Sequence, residues 1–406
     1  MRLRFLSFCF TLAFLFINVL FFQNAYAAAF QLYELGTPVI GRAAVGQAVE
    51  SDASTAFLNP AGMTFLKSSQ FMLGSQFLLP FINFHKRPHT ISGDNGGNAG
   101  VLTPGAGLFY AYQVSPDFAF GASFASPYGG FLNYNNGWTG RYDVQFAQFY
   151  GLNFNPAFAY RFNKWFSVGG GVSIEYAYLH QETALPLIPD VDGQINVKMS
   201  NWAPGFNVGL LFTPTCSTKV GIAYRSRINH KLHGDVTFLR IPEQPSVTSR
   251  LIYPNNVIVS LSQWFYKRFN LLAEAGWANW STMKTSTLDF GDFSVSTLLN
   301  WHNTYRLGLG GQVQLLPCLL FQLGASYDSS PTSSSKRLPS LPMDRQIRVG
   351  VGSIYSISET IQLGVSYEYM NMGQASINNT SRVGTLSGSY SRNYMNVFQV
   401  SLNVFV

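Results

Sequence analysis

From Ser69 to Val406 the chain runs through about fourteen stretches of alternating polar and apolar residues, and the connections between them alternate in length. The short connections are Val114-Ser115-Pro116-Asp117, Asn163-Lys164, Thr213-Pro214-Thr215-Cys216-Ser217, Tyr266-Lys267, Leu316-Pro317-Cys318 and Ser358-Glu359. The long ones span roughly 80–104, 127–146, 180–203, 229–254, 281–301, 329–344 and 371–393. An even strand count, with tight turns at one end and long loops at the other, predicts a 14-stranded antiparallel transmembrane β-barrel.

The alternation assigns faces. In the last stretch Phe398, Val400, Leu402, Val404 and Val406 share one side, against Gln399, Ser401 and Asn403. In Tyr305–Leu315 the outward set is Tyr305, Leu307, Leu309, Val313 and Leu315, against Arg306, Gly308, Gly310, Gln312 and Gln314. Side chains on a strand point alternately to opposite faces, so each stretch offers one face to lipid and one to an interior. Charged residues make up 11% and aromatics 16%. A water-facing surface needs more charge than that. A soluble sandwich or barrel would also have strands of about 5–6 residues, well short of these stretches.

Residues 1–27 predict a secretory signal. Arg2 and Arg4 form a basic start, Phe5 to Phe22 an apolar core, and Ala25-Tyr26-Ala27 a small-residue cleavage site. Losing Arg2 and Arg4 lowers the formal net charge from +7 to about +5, too scattered for a nucleic-acid footprint. Of the remaining cysteines, Cys216 and Cys318 fall in different short turns, which argues against a disulfide.

Residues 28–68 break the rhythm and 69–406 carry it. In the first block Gly36, Gly41, Gly46 and Gly62 punctuate short, weakly helical pieces, and Asn59-Pro60-Ala61 is a turn. A barrel of about fourteen strands is too wide for its own side chains to fill. Phe30, Leu32, Val39, Val45, Phe57 and Leu58 need burial, so the block is expected to fold inside as a mainly helical hatch.

The block carries Ala29-Phe30-Gln31-Leu32 with Glu34, then Gly41-Arg42-Ala43, Gly46, Asp52-Ala53 and Asn59-Pro60-Ala61. In these residues it resembles the hatch of the FadL family of outer-membrane long-chain fatty acid transporters. The likeness continues through Tyr224-Arg225-Ser226 with His230 and Gly234, Tyr305-Arg306 with Gly308, Tyr327-Asp328 with Ser330-Pro331, and Leu341-Pro342 with Asp344-Arg345. The resemblance implies a monomeric outer-membrane barrel, embedded among outer-membrane lipid and lipopolysaccharide, that passes hydrophobic molecules by passive diffusion without a cofactor. It implies a ligand pocket beside the hatch and a sideways exit where the third strand is kinked. Here that strand is expected at Phe118–Ser126, ending in Ser126-Pro127-Tyr128-Gly129. Proline cannot donate a ladder bond and glycine permits a bulge, so the residues themselves favour a break there.

By the same resemblance Phe30, His302, Tyr305 and Arg306 are candidate ligand contacts, and Asn59, Pro60 and Ala61 should pack near the Ser126–Gly130 break. His302 stands where the family carries a cation, and the segment from Tyr178 to Thr183, where it carries another, holds no Lys or Arg. Both departures favour a neutral or weakly acidic hydrophobic ligand over a strong anion. Rival classes find less support. No G-x-S-x-G elbow is present and His302-Asn303 stands alone, which argues against a hydrolase. The pairs His85/His89 and His230/His233 lack the further ligands a metal needs. A general diffusion porin would have no plug, and a surface adhesin would have no use for one.

Overall fold

The computed structural model describes residues 30–188, 191–238, 245–381 and 383–406; the predicted signal, residues 1–27, lies outside them. The first strands are β1 (Gln70–Lys86), β2 (Thr103–Gln113), β3 (Phe118–Asn133), β4 (Phe146–Asn163), β5 (Phe166–Ile188), β6 (Val191–Thr215) and β7 (Thr218–Arg225). Next come β8 (Ile228–Phe238), β9 (Ser246–Tyr253), β10 (Asn256–Phe265), β11 (Phe269–Ala278), β12 (Thr285–Asp289) and β13 (Ser294–Leu298). The chain ends in β14 (Thr304–Leu316), β15 (Leu319–Asp328), β16 (Gln346–Ser356), β17 (Ile361–Asn371), β18 (Ile377–Ser381) and β19 (Gly384–Phe405).

Fourteen of these form a closed antiparallel wall. The strands β1 to β7 pair in sequence, β7 pairs β10, β11 pairs β14, and β17 pairs β19. The barrel closes where β1 meets β19 along Gln70↔Phe405 to Lys86↔Gly388. Closure pairs the strand edges around the wall, as hydrocarbon requires, except where β2 and β3 part above Phe124. The other five strands fold the long connections into hairpins at one end. The strand β8 continues the ladder of β6 beyond the wall, β9 pairs β8 and β12, and β18 pairs the start of β19.

Two expectations for this end need correction. The stretch 180–203 is not an open loop, because β5 and β6 stay paired out to Ile188↔Val191. The third strand does not end at Ser126 but runs on to Asn133. In both cases backbone pairing satisfies polar groups that a loop would leave to solvent.

The face assignment holds. Phe398, Val400 and Leu402 are exposed on the outer wall, while Gln399, Ser401 and Asn403 are buried inside. Cys216 and Cys318 are both free thiols in short turns.

Inside the barrel, the chain from Phe30 to Leu66 forms 3-10 turns at Pro38–Arg42, Gln47–Val49 and Pro60–Phe65 and one α-helical turn at Thr55–Leu58. Nearly every residue of this hatch is buried. Its backbone lies directly on the wall. A Cβ on Gly74 of β1 would stand 1.8 Å from the Gly36 carbonyl oxygen, and one on Gly221 of β7 would stand 1.8 Å from that of Ala48. Only glycine allows so close an approach.

Candidate functional site

The hatch is held by charge as well as by shape. Arg306 on β14 bonds Glu274 at 3.0 Å and Asp328 at 2.7 Å, and donates to the carbonyls of Ala43 and Ala44 at 2.7 and 3.2 Å. Ala43 and Ala44 both carry left-handed backbone (φ 53° and 55°), which turns their carbonyls toward it. Glu274 accepts the N–H groups of Gly46 and Gln47, each at 2.9 Å. Arg348 on β16 bonds Glu34 of the hatch at 3.0 Å and also reaches Asp328. The Tyr33 ring lies against both guanidinium groups, 4.2 Å from Arg306 and 5.2 Å from Arg348.

Asn59 is the other anchor. Its amide donates to the carbonyls of Ala48 at 2.6 Å and Leu210 at 3.1 Å, and its oxygen accepts the Ala61 N–H at 3.3 Å. Asn59 caps the 3-10 turn Pro60–Phe65, and this segment rests on Gly169 of β5 and Gly209 of β6 rather than on the break in β3. The two meet only across a small cavity of about 40 Å³, which Pro60 shares with Pro127 and Tyr128. Asn59 needs wall carbonyls free of ladder crowding, and the glycines of β5 and β6 provide that space.

The break itself is a bulge. The β3–β4 register slips between Ala125 and Tyr128. Pro127 sits in the slip, where its missing N–H costs no ladder bond. On the other side the β2–β3 ladder runs from Gln113↔Ala119 to Leu108↔Phe124 and stops. Thr103–Gly107 of β2 continue to pair with β1. The two strands therefore part above Phe124. The hatch supplies what is missing: Leu32 N–H donates to the Pro127 carbonyl at 2.8 Å, and Gly129 N–H to that of Phe30 at 3.3 Å.

A cavity of about 570 Å³ begins beside these residues. Both parted edges line it, Thr103–Ala106 from β2 and Ser126 and Gly129–Leu132 from β3. It reaches inward to the buried Glu34, Arg348 and Met370, and outward to Leu102 and Phe124, which are exposed on the outer face. Its inner wall carries Leu78, Ile82 and four methionines, Met343, Met370, Met372 and Met395. Phe30 closes one end, ringed by Phe149 and Trp280 (centroids at 4.9 Å) and by Tyr253 (5.7 Å), Tyr128 (6.0 Å) and Trp301 (6.1 Å).

Of the expected ligand contacts, the structure brings only Phe30 to this cavity, together with Ser126 and Gly129 of the break. Arg306 lies deeper, committed to the hatch. Tyr305 is 60% exposed on the outer wall, as its place in the alternation requires. His302 is exposed in the connection before β14 and does not line the cavity. Glu34 and Arg348, the charged residues of the lining, were not singled out as a pair. They stand 314 positions apart, and only the fold joins them. Lys198, the cross-strand neighbour of His180, is exposed and does not supply the absent cation.

Comparison with known proteins agrees with this architecture. A long-chain fatty acid transport protein of Escherichia coli O6:H1 is 25% identical over 398 residues, covering 86% of this chain and 88% of its own. Outer membrane protein P1 of Haemophilus influenzae is 23% identical over 449 residues, covering 94% and 95%. The crystal structure of a Pseudomonas aeruginosa FadL homologue matches with a TM-score of 0.87 at 22% identity, over 93% of this chain and 100% of that one. The Pseudomonas putida toluene transporter TodX matches at 0.70 and 16% identity, over 94% and 100%. At these identities the two structures establish the fold. The model of the outer membrane protein transport family (OMPP1/FadL/TodX) matches residues 19–404, so this chain is an outer-membrane β-barrel of that family, a family of transport channels and not of enzymes.

Proposed function

We propose that the protein carries long-chain fatty acids or other hydrophobic molecules across the outer membrane by passive diffusion, and releases them sideways between β2 and β3. The observation that carries this reading is the cavity, whose lining runs without a break from the buried hatch to residues exposed on the outer wall. A molecule that follows it passes from lumen to lipid along an apolar wall whose charged side chains, among the described residues, are Glu34 and Arg348. The relatives named above are a fatty acid transporter and a toluene transporter, so cargo in such barrels spans acyl chains and small aromatics.

A general diffusion porin is disfavoured because the hatch fills the lumen and is bonded to the wall from β1 to β16. The test is mass spectrometry of lipid co-purified with the detergent-solubilised protein, paired with uptake by cells that lack other carriers. Bound apolar compound together with uptake supports the reading. Steady ion conductance in a planar bilayer, with no bound lipid and no uptake, sinks it.

A further inference from the structure

Among the described residues the cavity wall holds one cation, Arg348, and one carboxylate, Glu34. Both are fully buried. The guanidinium is already committed: Nε donates to Glu34 at 3.0 Å, Nη1 reaches Asp328 and Nη2 reaches Gln346. Glu368 stands 3.6 Å from the same Nε, and Asp328 and Glu274 hold the neighbouring Arg306. Four carboxylates thus surround two guanidinium groups, and the polar end of the cavity offers an anion no net positive charge. A fatty acid anion entering it loses its hydration without gaining a counter-ion, or must displace Glu34.

A neutral head meets neither cost. Gln31 lines this cavity and the small one that Pro60 shares with Pro127, is more than nine-tenths buried, and its Oε1 accepts no hydrogen bond from the protein. A hydroxyl is a donor of the right size for that oxygen. The tail faces thioethers and branched aliphatic groups that adapt to chain shape, so the wall discriminates little between tails.

We propose that the cavity selects long apolar molecules with a neutral, hydroxyl-bearing head over fatty acid anions, with Gln31 Oε1 accepting the head-group hydrogen bond. This rests on the transport reading above and specifies its cargo. The probes are oleyl alcohol, oleate and 1-octadecene, titrated into delipidated protein at neutral pH and followed by tryptophan fluorescence, since Trp280 and Trp301 pack on Phe30. Oleyl alcohol should bind at least about tenfold tighter than oleate. Gln31→Leu should weaken oleyl alcohol by roughly tenfold and leave octadecene unchanged, because the Gln31 backbone still bridges Tyr128. Met343→Lys adds a cation at a half-buried loop position of the lining and should raise oleate affinity several-fold.

Oleate binding to the native protein as tightly as the alcohol overturns the inference while leaving the transport reading intact. So does a Met343→Lys protein that folds and gains nothing for oleate. If none of the three probes binds, both readings fall together.

Discussion

Leu32 donates its backbone N–H to the Pro127 carbonyl at 2.8 Å. With the Gln31↔Tyr128 bridge beside it, the start of the hatch acts as a short antiparallel partner for β3 above the point where β2 has left it. The bulged strand is thereby held by the hatch where β2 is missing and by β4 on its other edge, from Tyr128↔Gly151 to Asn133↔Phe146.

Leu32→Pro removes that donor while keeping an apolar side chain. The loss of one buried hydrogen bond is worth about 1 kcal/mol, so the Gly129 amide, bonded to Phe30, should exchange roughly fivefold faster. Hydrogen exchange by mass spectrometry over β3 reads this directly. The barrel should remain heat-modifiable on gels; unchanged exchange there would mean that the bulge is held by the wall alone.

Ser126 lines the cavity at the parted edge, and its hydroxyl donates to the Tyr128 carbonyl at 3.2 Å. Ser126→Arg should put a bulky cation into the gap, where no partner awaits it. Cellular uptake of oleyl alcohol or oleate should fall at least about tenfold while ligand occupancy of the purified protein persists. Normal uptake would move the exit elsewhere, and loss of occupancy along with uptake would place Ser126 in the pocket itself.

Gly221→Leu should push the hatch off β7, because its Cβ would meet the Ala48 carbonyl at 1.8 Å. Single-channel recordings should then show openings that the native protein lacks. Ile222→Ala, one residue along on the opposite face of the strand, should leave the native trace unchanged.

Asp52 makes the hatch pH-sensitive. Burial, with the nearby charge of Glu50 added, pushes its carboxyl up from 3.8 to about 7. A carboxyl whose pKa rises on folding holds its proton more tightly in the folded hatch, so the stabilisation is complete below about pH 4 and is lost as pH rises through about 7. Protease cleavage within the hatch of the purified barrel should therefore increase between pH 5 and pH 8, an interval of about three units across that window. Asp52→Asn should flatten the profile. A native profile already flat would show that Asp52 titrates normally.

Much of this architecture can be read from residue order. The two-residue period alone assigns Phe398 and Val400 to the outside and Arg306 to the inside, and the alternation of turn lengths counts the strands. The same period also places Tyr305 outside, so its candidacy as a ligand contact conflicted with the pattern that identified the strand. What was hidden depends on long-range closure. Glu34 and Arg348 carry no mutual signal along the chain, and the position of the Asn59 turn depends on which strands lie across the lumen. Hairpins such as β8–β9 looked like loops because their alternation is short and their flanking turns resemble loop composition.

The contact between hatch backbone and wall glycines divides each strand into two records of constraint. At hatch height, a lumen-facing position such as Gly221 accepts almost no other residue, since any side chain collides with a backbone that cannot move aside. Its neighbours on the lipid face, Val220 and Ile222, need only remain apolar. Above the hatch, where β6 pairs β8, the inward positions Val197, Met199, Leu232 and Val236 pack on side chains instead of on hatch backbone. Tolerance to change along this chain should therefore beat with a period of two in a band around the barrel, and the height of that band is the height of the hatch.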